Sequence, residues 1–105
     1  MENNFQKMID RAVEIRNKYD EKDIKKWDVE QVFMGMIKDI GNLSKILMVY
    51  NGYRKDLNKN TNEALGHELS DILYSIFIIA DKTGVDLKMS FWQVMDKLER
   101  RIENK

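Results

Sequence analysis

Leu65–Leu87, LGHELSDILYSIFIIADKTGVDL, is the stretch whose reading decides the fold. From Ile72 to Ala80 it is apolar on nearly every side, without the apolar–polar alternation of a half-exposed strand, so it reads as a helix. Asn60 with Glu63, or Thr61, can cap its start, and Gly84 follows its last residue, Thr83. The apolar run is far short of the roughly 20 residues that span a bilayer. A helix apolar all round must be surrounded by other helices, and a chain of 105 residues has few to offer. The expected architecture is therefore an all-α, four-helix bundle with a central helix hairpin, completed by oligomerisation as a homodimer or homotetramer.

Working outward, Asp86 is an N-cap for a last helix whose Leu87, Phe91, Val94, Met95, Leu98 and Ile102 are expected to face inward. On the other side, YRKDLNKN (Tyr53–Asn60) suits a connection, and Gly52 stops a second helix that runs to about Asn51. That helix carries Val29, Val32, Phe33, Met36, Ile37, Ile40, Leu43, Leu47 and Tyr50 as its buried stripe. Asp28 and Gln31 have the spacing of a capping box, and Trp27 with Val32 that of a hydrophobic staple. A first helix from about Asn3 to Tyr19 places Phe5, Met8, Ile9, Ala12, Val13 and Arg16 on one face, and the polar segment Asp20–Lys26 breaks the pattern. The whole chain, residues 1–105, is read as one domain.

The 18 basic and 18 acidic residues balance, which argues against the broad positive field of a duplex-DNA-binding protein. With no cysteine, a disulfide framework, a Cys-based zinc site and a thiol nucleophile are excluded. MENNFQKMIDRAVEIR lacks the basic region and apolar core of a secretory signal, so a cytoplasmic protein without a membrane span is expected.

The chemistry must then come from oxygen and nitrogen ligands. Asp39 and Asn42 stand three apart on the second helix, and Glu68 and Asp71 three apart on the third, so each pair shares a face. Each pair lies roughly 15 residues from the middle of the hairpin connection, about 20 Å along its helix, so the pairs should be level. Oxygen ligands converging from facing helices suit a hard divalent cation such as magnesium.

The strings IKDIGNLSKIL (Ile37–Leu47) and LGHELSDILYSIFIIADKTGVDL resemble the MazG family of all-α nucleoside triphosphate pyrophosphohydrolases, over roughly Trp27 to Arg101. The family carries Glu-x-x-Glu on one helix and Glu-x-x-Asp on the next. Glu68 and Asp71 match the second element. At the first, Asp39 replaces one Glu, Asn42 replaces the other, and Lys38 stands where an acidic residue often precedes them. The resemblance implies Mg2+, or Mn2+, held by Asp39, Asn42, Glu68 and Asp71. It also implies cleavage of an NTP or dNTP to the monophosphate and pyrophosphate, with Glu68 and Asp71 as catalytic residues. The alternative is a catalytically silent member acting as a nucleotide-binding or protein-interaction module, which the changes at Lys38 and Asn42 would suit.

Lys97, Arg100, Arg101, Lys45, Arg54 and Lys55 are candidates to meet phosphate oxygens. Lys97 and Arg101 are similar to the basic residues that the family carries on its C-terminal helix. His67, the single histidine, can pair with Asp71 four residues on. Trp27 or Trp92 could stack on a base, although Trp92 is better read as core.

Overall fold

A computed structural model describes residues 4–22, 26–52 and 61–104, and the chain is all-α. Its helices are α1 (Asn4–Lys22), α2 (Val29–Tyr50), α3 (Thr61–Thr83) and α4 (Leu87–Glu103). Among the described residues, no helix is long and apolar enough to cross a membrane.

The ends are set locally. The Asp28 carboxylate accepts from the Gln31 N–H at 2.9 Å, and the Gln31 side-chain oxygen accepts from the Asp28 N–H at 3.0 Å, completing the capping box. At α4 the Asp86 carboxylate accepts from the Met89 N–H at 3.0 Å. Gly52 (φ +82°) and Gly84 (φ +74°) end α2 and α3 in the left-handed conformation that a side chain would strain. After α3 the Val85 N–H reaches the Ala80 carbonyl at 3.0 Å and the Gly84 N–H reaches that of Asp81 at 3.3 Å, the paired bonds of a Schellman turn. The connection expected at Tyr53–Asn60, with Asn60 as a cap, lies outside the described residues; α3 begins at Thr61.

α3 is the central element: α2 packs along it, α1 packs against it as well, and α4 makes little contact with any of them. Ala12, Val32, Phe77 and Ile78 form the buried core, with Phe5, Ile9, Val13, Tyr74, Ile79 and Leu87 packed around it. Phe5 meets Phe77 edge-on, with ring centroids 5.5 Å apart. Ile78 is only 1% exposed, and burying such a side chain contributes about 1.5–3 kcal/mol.

Four sequence expectations need correction. α1 continues to Lys22 instead of breaking at Asp20, because the Asp20 carboxylate is buried against basic partners rather than solvated. The stripe of α2 is covered only in part, since Phe33, Ile37, Ile40, Leu47 and Tyr50 are exposed. The inward face of α4 is covered in part at Leu87 and Met95 only: Phe91, Val94 and Leu98 are exposed, and so is Ile102 at 76%. Trp92 is also exposed, at 60%, resting edge-on against Phe91 instead of lying in a core. On α2 and α4 periodicity identified an apolar face, but the other described residues leave much of it uncovered.

Candidate functional site

Asp39 on α2 faces Glu68 and Asp71 on α3. Each can offer one carboxylate oxygen such that the three atoms lie within 4.8 Å of one another, and all three residues are half-buried. The equal distances from the hairpin connection bring them level, and the packing of α2 along α3 brings them face to face. Oxygens on one calcium, at about 2.3–2.6 Å, are at most about 5.2 Å apart and those on one magnesium, at about 2.0–2.1 Å, at most about 4.2 Å, so three oxygens within 4.8 Å of one another could close on one divalent cation with small side-chain movements. Glu68 supplies a further sign. Its Oε2 is buried with no hydrogen-bond partner, a costly state for a carboxylate oxygen that a bound cation would relieve.

Asn42 is half-buried one turn beyond Asp39, on the same helix face, where its side-chain carbonyl can serve as a neutral oxygen donor. His67 Nε2 lies 3.3 Å from Asp71 Oδ2 across one helical turn, near enough to help orient that carboxylate.

A cavity of about 320 Å³ opens beside the acidic cluster, lined among others by Asp39, Asp71, Arg16, Trp27, Gly35 and Tyr74. Trp27 comes from the connector before α2 and lies against Gly35, where a Cβ would come 3.4 Å from the indole. The Arg16 guanidinium sits 5.3 Å from the Trp27 ring centroid and 5.5 Å from that of Tyr19. Arg16 Nε and Nη2 both lie 3.1 Å from Asp20 Oδ1, while Lys82 Nζ is 4.0 Å from the other oxygen of that carboxylate. Burial pushes the Tyr74 hydroxyl above the usual tyrosine range; the Arg16 charge opposes this and the Asp20 charge reinforces it. Tyr74 is therefore a neutral phenol throughout the physiological range.

Sequence reasoning missed the Arg16–Asp20 pair. It placed Arg16 on an apolar face without a partner and left Asp20 outside the helix, although an Arg–Asp spacing of four on one helix was a readable signal. Lys97 and Arg101 line a different hollow with Arg100 and Asn104, one that shares no residue with the acidic cavity. Lys45 is exposed on α2, and Arg54 and Lys55 lie outside the described residues.

The sequence profile of the MazG nucleotide pyrophosphohydrolase domain matches residues 53–105, half of the chain. The chain belongs to the MazG family. No curated protein and no solved structure matches it. The matched half contains Glu68 and Asp71 and stops short of α2, so Asp39 meets them through the fold alone.

Proposed function

We propose that this MazG protein is a magnesium-dependent nucleoside triphosphate pyrophosphohydrolase, releasing pyrophosphate and a nucleoside monophosphate. The observation that carries the proposal is the convergence of Asp39 with the motif pair Glu68 and Asp71. A divalent cation, magnesium or manganese, would neutralise phosphate charge there and lower the pKa of an attacking water. Asp39, Glu68 and Asp71 hold it with carboxylates, Asn42 with a carbonyl oxygen, and His67 steadies Asp71. Lys97 and Arg101 are proposed phosphate contacts. Because their hollow is separate from the acidic cavity within one chain, that role calls for α4 of a second copy to lie across the cluster.

A homodimer or homotetramer is part of the proposal. The accessible surface is 8717 Å², against about 6,200 Å² for a compact monomer of this mass. The radius of gyration is 16.9 Å, against about 13 Å for a compact domain of 100 residues. An excess of that order is what obligate interfaces bury.

The test is pyrophosphate release from a panel of ribo- and deoxyribonucleoside triphosphates with magnesium or manganese. Turnover is expected in the wild type, falling at least about a hundredfold in Glu68→Ala and Asp71→Ala as ligand charge is lost. Turnover that survives both changes would sink the proposal.

Asn42 and Lys38 favour one rival, a silent MazG protein that binds nucleotide without cleaving it. On that reading the wild type releases no pyrophosphate, and Asn42→Glu, which restores a fourth carboxylate, creates turnover. An active wild type excludes it.

A further inference from the structure

Asp39, Glu68 and Asp71 carry one negative charge each, so a single divalent cation among them leaves one charge uncompensated. Asn42, the further oxygen donor on that face of α2, is neutral and adds nothing to attract a second cation. The chain itself brings positive charge to the cavity beside the cluster. Among the described residues two cations line it, Arg16 and Lys38, and they are not equivalent. The Arg16 side chain is 11% exposed and its charge is met by the Asp20 carboxylate. Lys38 is exposed and lines the cavity with Asp39 and Asp71, and no acid among the described residues pairs with it. The positions one turn away on α2 are Met34, Gly35, Gly41 and Asn42, none of them acidic. A carboxylate at position 42 would stand four residues from Lys38 and capture it, whereas Asn42 leaves the ammonium uncommitted. Lys38 and Asn42 therefore act together: one brings a positive charge to the cavity, and the other does not neutralise it.

We infer that Lys38 is a phosphate-binding residue, and that its ammonium stands beside a single divalent cation as the second positive charge a polyphosphate meets at this site. With three carboxylates and one divalent cation alone, the cluster keeps a net charge of −1 and repels a polyphosphate; with Lys38 added the site is neutral. An ammonium suits this part because it is a compact charge on a flexible stem with three donors, able to follow phosphate oxygens as the ligand settles. The contact is made within one chain, unlike those proposed for Lys97 and Arg101, which line a separate hollow. The inference rests on the pyrophosphohydrolase reading for its cation and its class of ligand, but not for turnover.

Binding can be read without turnover. The probe is inorganic tripolyphosphate with magnesium in excess, which presents a phosphate chain without a base, titrated calorimetrically into the full chain. The wild type is expected to bind it, and Lys38→Gln to bind it about tenfold more weakly, the size of one charge-assisted hydrogen bond. Lys38→Arg, which keeps the charge and donors, should restore most of that affinity. Manganese titrated alone should bind at one ion per chain in the wild type. In Lys38→Gln it should bind about threefold more tightly, because a repelling charge beside the carboxylates is gone. Lys38 is exposed, so melting temperature should not change in either variant. A lysine that merely sits in solvent moves neither affinity, and one needed for the fold lowers both together with the melting temperature.

No tripolyphosphate binding by the wild type, equal affinity in Lys38→Gln, Lys38→Arg no better than Lys38→Gln, two manganese ions per wild-type chain, or a manganese affinity that fails to rise in Lys38→Gln would each overturn the inference. Pyrophosphate release from nucleoside triphosphates, measured on the same preparations, keeps the two proposals apart. Tripolyphosphate binding that depends on Lys38 in a protein without turnover removes only the pyrophosphohydrolase reading. Turnover whose KM is unchanged in Lys38→Gln removes only this one.

Discussion

α1 and α4 are both amphipathic helices at the flanks of the α2–α3 pair, and they end in opposite states. α1 lays Ala12 into the core with Phe5, Ile9 and Val13 beside it, and buries a salt bridge as well. α4, built from comparable residue types, has no buried residue and touches the core through Leu87 alone. Amphipathicity thus says that a face wants cover without saying from where. For α1 the cover is α3; for α4 one chain provides almost none, and a second copy is the proposed source.

The sharpest way to break this contrast is to disarm the buried charge of α1. Asp20→Ala leaves Arg16 buried with its carboxylate gone, and should cost about 3–5 kcal/mol in denaturant unfolding. A loss below 1 kcal/mol would mean that α1 is held no more firmly than α4. On α4, Phe91→Ser with Leu98→Ser should abolish self-association in sedimentation and remove the dependence of melting temperature on protein concentration. Unchanged assembly would mean that the open face of α4 has no role in it. The Asp28→Ala change at the start of α2 should cost about 1 kcal/mol through the lost cap. Smallest of all, Glu14→Gln should shift stability by no more than a few tenths of a kcal/mol, because the pairs of Glu14 with Arg11 and Lys18 are solvent-exposed. A large effect there would blur the line between the two faces of α1.

Much of this molecule was legible in its sequence. The helices and most of their ends follow from period and from local chemistry: Asp28 with Gln31, Asp86, Gly52 and Gly84 act on residues within one turn of themselves. The approach of Asp39 to Glu68 and Asp71 was also readable, since equal spacing about a hairpin is simple arithmetic. The fate of charges and of surplus apolar faces was not. Arg16, four residues earlier, was a readable partner for Asp20, but nothing local says that the pair is buried or that Lys82, 62 residues later, lies beside it. Trp92 looks like core until no partner arrives. Both depend on contacts between elements distant in sequence, or between chains, on which local pattern is silent.

The three carboxylates that converge are divided, one on α2 and two on α3, and only the packing of one helix along the other sets the gap between them. Sliding α2 by a single residue would displace Asp39 by 1.5 Å and swing it by 100°. The pair therefore works as a caliper, with Val32 and its neighbours setting the jaw. A core change too mild to unfold the protein could still open that jaw, and would register first as weakened cation affinity.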